Sequence, residues 1–173
     1  MRIVKVRTER KTKKSGKMGK TMKNRESNRM SKSSSILEKF EQDIVVKFLE
    51  ILICVKLYHW KTYSYATHKA TDNLYSKLNE NIDHFVEVLL GKGTSSFLGK
   101  GAERINLTRV KQISLKDFTS VEQLKREMED FKSYLVSLDK MKAMQLMSNT
   151  DLLNIRDEIM GNINQFLYLL TFK

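Results

Sequence analysis

Apolar residues between positions 37 and 58 recur every three or four residues, which is the spacing of one face of an α-helix. Ser35 and Glu38 match a capping box before this stripe, so a first helix is predicted from Ser35 to about Lys61. The stripe consists of Leu37, Phe40, Ile44, Val45, Phe48, Ile51, Leu52, Val55 and Tyr58. Such a helix is about 39 Å long at about 1.5 Å per residue, which is long enough to form one side of a domain.

A second helix is predicted after a short connection at 62–65. It ends near Leu90, where Gly91 can act as the C-cap. Its core face consists of Leu74, Leu78, Ile82, Phe85 and Leu89. Residues 91–119 contain four glycines and show weak apolar periodicity, so they predict a long connection with room for one short helix.

Two more helices are predicted after this connection. Thr119 or Ser120 caps the third helix, with Glu122 and Gln123 placed to complete the cap, and a break at 148–150 separates it from the fourth. The third stripe consists of Val121, Leu124, Met128, Phe131, Leu135 and Leu138, and the fourth consists of Leu152, Ile155, Ile159, Phe166 and Leu169.

The lengths of the connections predict how these helices are arranged. A long middle connection between two short ones must cross the bundle, so the second and third helices are expected to run parallel. The absence of proline and the small number of glycines also favour an all-helical chain. We therefore predict an all-α fold, a ferritin-like four-helix bundle over 36–173 with one long crossover connection.

The positive charge of the chain is concentrated at its start. The formal net charge is +12, and residues 1–35 hold 13 of the 32 basic residues against only Glu9 and Glu26. We predict that this segment is a disordered tail, because it offers little apolar surface to bury. A partner that is DNA or another polyanion is expected, bound through phosphate contacts. The candidate residues are Arg10, Lys11, Lys13, Lys14, Lys17, Lys20, Lys23 and Arg25. A solubilising tail or a nuclear import signal at 10–14 is the alternative.

Membrane insertion and secretion are not predicted. The most apolar stretch, 44–60, is interrupted by Lys47, Glu50 and Lys56 and is too short for a membrane span. No apolar segment typical of a secretory signal follows the basic start. We expect a soluble, intracellular protein, and we expect the single cysteine, Cys54, to be a buried and unreactive thiol.

The predicted second helix carries imidazole and carboxylate side chains, which are ligands suited to non-haem iron. His68 and Asp72 lie one turn apart, and so do Asp83 and Glu87. At about 1.5 Å per residue the two pairs are separated by roughly 16 Å, so one ion cannot contact both pairs of one chain. At about 100° per residue the four side chains fall beside the core face and not within it.

A second copy of the chain can complete such a site. If two copies of the second helix lie antiparallel across a two-fold axis, the His68 end of one meets the Glu87 end of the other. His59, at the end of the first helix, can reach the same place. In the alternative interpretation the carboxylates form a solvated face paired with lysines such as Lys69, and the histidines are incidental. His84 is more simply a surface residue, and Trp60 a buried or interface anchor.

At these positions the sequence resembles the Dps family, the mini-ferritins that protect DNA in starved cells. The matching pattern is His59-Trp60, then His68-x-x-x-Asp72-x-x-Tyr75-x-x-Leu78, then Asp83-x-x-x-Glu87, within a likeness that covers 36–173. The chain departs from the family where Lys61 follows Trp60, where fewer residues precede the second histidine, and where His84-Phe85-Val86 precedes the glutamate.

The resemblance implies a ferroxidase site shared between subunits. Its ligands would be His59, His68 and Asp72 of one subunit and Asp83 and Glu87 of its two-fold mate. The substrate would be ferrous iron, the oxidant peroxide or oxygen, and the assembly a homo-oligomer as small as a dimer or as large as an iron-storing shell.

A non-enzymatic interpretation fits the same sequence. The chain would then be a nucleic-acid-condensing or virion-associated structural protein built on a ferritin-like scaffold. A fainter resemblance, around Tyr58 to Thr62, is to uncharacterised proteins of large DNA viruses. If neither iron nor DNA is bound, a purely structural bundle remains.

Overall fold

The computed structural model describes residues 16–92 and 113–172, with side chains described from residue 28 onward. Within these two ranges all regular secondary structure is helical, as the sequence predicts. The chain divides into two compact units, Met1–Lys32 and Ser33–Lys173.

Helix α1 spans Gly16–Lys61 and ends where the sequence predicts, but it begins earlier. Residues 16–35, predicted to belong to a disordered tail, are helical, and the predicted helix start at Ser35 is wrong. Lysine, arginine, methionine and glutamate in this segment have high helix propensity. Extending an existing helix also gains one hydrogen bond for each residue ordered, so the amphipathic part can propagate backwards. Residues 1–15 lie outside the described part of the chain.

The remaining helices are α2 (Tyr65–Lys92), α3 (Val121–Ser137), the one-turn α4 (Lys142–Gln145) and α5 (Thr150–Leu169). Helix α2 passes through Gly91, so the predicted C-cap at that residue is wrong. The predicted third helix is also interrupted: α3 ends at Ser137, and a 3₁₀ turn at Leu138–Lys140 leads to α4. The predicted break before the fourth helix is confirmed.

One hydrophobic core joins these helices within the second unit. The predicted stripes of α1 and α2 are buried throughout, and the Phe48 ring lies at its centre, edge-on to Phe85 of α2 at 5.1 Å and to Phe131 of α3 at 6.1 Å. Among the buried side-chain nitrogen and oxygen atoms of the described residues, none lacks a hydrogen-bond partner. The apolar periodicity therefore predicts the buried faces of α1 and α2, whereas Val121 and Leu169 of the later predicted stripes lie outside the core, Val121 partly buried and Leu169 39% exposed.

Contacts along α1 establish the helix directions. The Phe48–Phe85 pair and the His59–His68 pair show that α1 and α2 run antiparallel. Helix α3 is also antiparallel to α1, because Phe131 meets Phe48 while Glu122 at the start of α3 lies near Tyr58. Helices α2 and α3 therefore run parallel, as the sequence predicts.

Helix α5 closes the bundle against α2. Lys77 donates to Gln165, and further along the pair Asn81 donates to Glu158, so the two helices are antiparallel. At the far end Lys92 forms an ion pair with Asp151 in the first turn of α5. The hydrogen bond from Lys92 lowers the pKa of the Asp151 carboxyl group below its usual range.

Candidate metal centre

The connection between α1 and α2 brings the two predicted histidines together. After Lys61 the chain turns through 62–64, and Ser64 caps α2 by accepting from the backbone N–H of Thr67 at 3.3 Å. The short connection places His59 in the last turn of α1 directly against His68 in the first turns of α2. Their imidazole rings are stacked, with centroids 3.9 Å apart and an interplanar angle of 24°.

Each imidazole bonds to the backbone of the other histidine. His59 Nδ1 lies 3.1 Å from the carbonyl oxygen of His68, and His68 Nδ1 lies 3.0 Å from that of His59. A carbonyl oxygen only accepts hydrogen bonds, so both Nδ1 atoms must carry the proton and donate. In the neutral rings the lone pair is therefore on Nε2. This backbone orientation of the far nitrogen is typical of histidines that ligate metal ions.

Asp72 places a carboxylate beside the imidazole of His59. Its Oδ1 lies 4.0 Å from Nε2 of His59, and its side chain is 53% exposed. With Nδ1 protonated, a neutral His59 directs a lone pair toward a carboxylate, so two acceptors face each other. A cation between them, either a proton on Nε2 or a metal ion, makes this arrangement favourable. Two ligands each about 2.1 Å from one ion are about 3.0–3.4 Å apart at octahedral or tetrahedral angles, so the two groups would have to move about 0.6–1 Å closer to share an ion.

Asp83 and Glu87 do not join this group within one chain. They lie further along α2, exposed on the side that also carries Asp72, while the core face of α2 is buried. The predicted offset of the acidic side chains from the core is therefore confirmed. In the described residues no three histidine, cysteine, aspartate or glutamate side chains are close enough to hold a metal ion.

An apolar groove lies beside the histidines, between α1 and α2. It has a volume of about 280 Å³ and is lined by Leu49, Leu52, Ile53, Lys56, Leu57, Trp60, Tyr75 and Asn79. Trp60 is 66% exposed and Leu49 38%. Lys56 Nζ lies 4.6 Å from the centre of the Tyr75 ring and 5.7 Å from that of Trp60. Trp60 is therefore not a buried residue, and of its two predicted roles only that of an interface anchor remains.

Two residues near the site were not predicted from the sequence. Thr71 is fully buried, and its hydroxyl lies 3.2 Å from His59 Nδ1. Lys56 places a cation in the groove. In the sequence Thr71 is an ordinary helical threonine that precedes the predicted ligand Asp72. Only its short distance from the His59 imidazole, in another helix, indicates a role, and the sequence does not contain that distance. His84 is exposed, as predicted.

A second polar cluster lies between α1, α3 and the segment before α3. Glu127 is buried, at 7% exposure, and its carboxylate binds Lys116 Nζ at 2.6 Å. This hydrogen bond raises the pKa of Lys116. Cys54 is 1% exposed, so the prediction of a buried cysteine is confirmed, and burial raises the pKa of its thiol.

The basic residues predicted to bind nucleic acid fall on the first unit. Four of them, Arg10, Lys11, Lys13 and Lys14, lie outside the described residues. The other four lie in α1 at positions whose side chains are not described, Lys17, Lys20, Lys23 and Arg25. Nucleic-acid binding therefore stays a prediction. No helix of the described ranges is long and apolar enough to cross a membrane.

Comparison with known proteins gives a match to a family model. The model of a family described as "Family of unknown function (DUF5856)" matches residues 59–170. No curated protein and no solved structure matches the chain. The matched segment begins at His59 and contains every candidate ligand.

Proposed function

The chain belongs to the DUF5856 family of unknown function, and we propose that it is a ferritin-like protein that binds and oxidises ferrous iron between two subunits. The observation that carries this proposal is the pair of facing acceptors, His59 Nε2 and the Asp72 carboxylate, 4.0 Å apart. The stacked His68 supplies a second imidazole, whose Nδ1 also bonds to a backbone carbonyl and leaves the lone pair on Nε2. Imidazoles with carboxylates are a donor set suited to ferrous iron.

The ferritin-like assignment is supported by the helix directions. Helices α2 and α3 run parallel, as a bundle with one long crossover requires. The likeness to the Dps family over the same residues supports it independently, although no Glu-x-x-His motif of the common di-iron type is present.

A two-fold dimer would complete the site. Asp72 and Asp83 lie on the same exposed side of α2, roughly 16 Å apart at about 1.5 Å per residue. An antiparallel mate crossing α2 midway between them would place Asp83 and Glu87 of one chain near His59, His68 and Asp72 of the other. The same face carries the apolar groove with its exposed Trp60 and Leu49, which is surface that a dimer would bury.

Within such a site the residues of this chain would have different roles. The imidazole Nε2 atoms and the carboxylates bind the ferrous ions, and the carboxylates offset the additional charge of the ferric product. Two ferrous ions give one electron each to hydrogen peroxide, which takes up two protons and leaves as two water molecules. The backbone carbonyls that hold both Nδ1 atoms keep the imidazoles in the ligating orientation.

A subunit-mixing experiment tests the shared site directly. One variant carries His59→Ala and His68→Ala, and the other carries Asp83→Ala and Glu87→Ala; each alone should lose rapid ferrous oxidation. In mixed dimers, one site combines both defects and the other combines both intact halves. Refolding or exchanging the two variants together should therefore restore up to half of the wild-type rate per mixed dimer.

Glu80→Ala is the matched control, because Glu80 is an exposed carboxylate one turn before Asp83. It should oxidise iron at the wild-type rate. If the two inactive variants restore no activity when native mass spectrometry shows mixed dimers, the site is not shared. If the Asp83/Glu87 variant alone oxidises iron at full rate, the ferroxidase proposal fails.

A second candidate function is supported by the charge distribution. The 35 residues at the start carry a net charge of +11, whereas the rest of the chain is nearly neutral at +1. Such a segment would bind DNA or another polyanion without reading its sequence, and an oligomer would multiply the effect by presenting several copies. This function requires no iron oxidation, so the protein could condense nucleic acid on a ferritin-like scaffold.

A further inference from the structure

Thr71 is the buried polar residue that joins the imidazole of His59 to the backbone of α2. Its Oγ1 lies 2.8 Å from the carbonyl oxygen of Thr67 and 3.0 Å from that of His68. The same oxygen lies 3.2 Å from Nδ1 of His59. The side chain has no access to solvent, so these groups are the partners available to it.

The proton of this hydroxyl group goes to a backbone carbonyl, because the third neighbour, His59 Nδ1, itself donates to the carbonyl of His68. Both carbonyl oxygens accept, so the Thr71 proton is donated to one of them, and a lone pair of Oγ1 is left facing His59. His59 Nδ1 then meets two acceptors, the Thr71 hydroxyl and the His68 carbonyl. A neutral His59 is thus held as the Nδ1–H tautomer, the less common form of a free histidine side chain.

We propose that Thr71 is a positioning residue for the metal site: together with the His68 carbonyl it holds the tautomer and rotation of His59 so that the Nε2 lone pair faces Asp72. The inference rests on the proposed metal site and extends it to a residue that does not touch the ion. Removing a hydrogen-bond partner of a metal-ligating histidine typically weakens metal binding about tenfold to a hundredfold. Thr71 is buried and its hydroxyl contacts Nδ1 of His59, so loss of this hydroxyl is expected to weaken metal binding to a similar extent.

Three variants of the full chain test this role. Thr71→Val keeps the shape of the side chain but lacks the hydroxyl group, and Thr71→Ser keeps the hydroxyl group. Thr67→Val makes the same change one turn earlier, where the backbone carbonyl and not the side chain contacts Thr71. The first measurement uses the metal-free protein with nitrogen-15-labelled histidine, because NMR shifts of the two ring nitrogens report the tautomer of His59. The second is calorimetric titration with ferrous iron under anaerobic conditions.

Thr71→Val should increase the Nε2–H fraction of His59 and weaken ferrous iron binding about tenfold. Thr71→Ser and Thr67→Val should keep the wild-type tautomer and affinity. Unchanged tautomer and affinity in Thr71→Val, or failure of Thr71→Ser to restore both, would overturn this inference while leaving the shared site intact. If wild-type protein binds no iron, the proposed function fails, and the metal-positioning role of Thr71 fails with it whatever the tautomer.

Discussion

Lys116 and Glu127 form an ion pair, Nζ to Oε2 at 2.6 Å, in which the carboxylate is buried and the lysine is half exposed. The pair links the segment before α3 to α3 itself, beside Cys54 of α1. A buried carboxylate that loses its partner keeps the cost of desolvation without the compensating hydrogen bond.

Lys116→Met is therefore expected to lower the free energy of unfolding by about 1–3 kcal/mol, a range reduced from that of fully buried pairs because Lys116 is exposed to solvent. Lys116→Arg should recover most of the loss. Urea unfolding at neutral pH measures both. Equal stability of wild type and Lys116→Met would show that the pair contributes nothing.

The same pair predicts a pH dependence. The folded-state pKa of Lys116 is raised above its ordinary value of 10.5 by the hydrogen bond to Glu127. The contribution of the ion pair to the stability of the folded protein is fully present below the pKa of the unfolded state, and it is lost as the pH rises through the pKa of the folded state. The stability difference between wild type and Lys116→Met should be constant from neutral pH to about pH 10 and shrink above it. A difference that grew with alkaline pH would contradict this assignment.

Phe48 should be a large contributor to the stability of the bundle. It is fully buried and meets aromatic rings of α2 and α3 edge-on. Phe48→Ala is expected to destabilise the protein by about 3–5 kcal/mol. Tyr168→Ala is the control, since Tyr168 also forms an edge-on pair, with Phe172, but is 62% exposed. That change should have a much smaller effect on the urea midpoint.

The cap of α3 provides a local test of the fold. Ser120 accepts from the backbone N–H of Gln123, and the Gln123 side chain accepts from the backbone N–H of Ser120. Ser120→Ala should cost about 1 kcal/mol, and Ser120→Asp should retain most of the stability. Thermal unfolding followed by circular dichroism would measure the change. A loss shared equally by both variants would mean that the side-chain cap is not the cause.

Trp60 is expected to anchor the subunit interface. Trp60→Glu should weaken self-association, because it places a charge where an exposed aromatic ring borders the apolar groove. Val136→Glu is the matched control, since Val136 is 51% exposed on α3. Analytical ultracentrifugation across a range of protein concentrations would compare them. Equal effects of the two changes would place the interface elsewhere.

The basic segment should determine any binding to DNA. Replacing the eight candidate residues Arg10, Lys11, Lys13, Lys14, Lys17, Lys20, Lys23 and Arg25 with glutamine should weaken binding and flatten its dependence on salt, because fewer counterions are released. Ferrous oxidation should not change. Fluorescence anisotropy with a labelled duplex at several salt concentrations measures the slope. If the dependence of binding on salt did not change, this segment would not be the part of the chain that contacts DNA.

The sequence predicted most of what local chemistry controls. Apolar spacing identified the four main helices and their buried faces, because a 3.6-residue period is visible without knowing any neighbour. The cap at Ser120 and the end of α1 at Lys61 were also predictable from nearby residues. The start of α1 was not, because a helix without a strong stop signal can extend through residues of high helix propensity. The end of α3 at Ser137 was not predicted, because no proline or glycine lies near it in the sequence.

The candidate site required the tertiary structure. Sequence spacing placed His68, Asp72, Asp83 and Glu87 on one side of α2, and the predicted end of the first helix added His59. Only the packing of α1 on α2 stacks the two imidazoles, directs both Nδ1 atoms to backbone carbonyls and brings in Thr71. These relationships depend on distances between residues in different helices, which no periodicity within one helix contains. The sequence by itself thus determined which residues could ligate, and the packing of the helices decided which nitrogen faces Asp72.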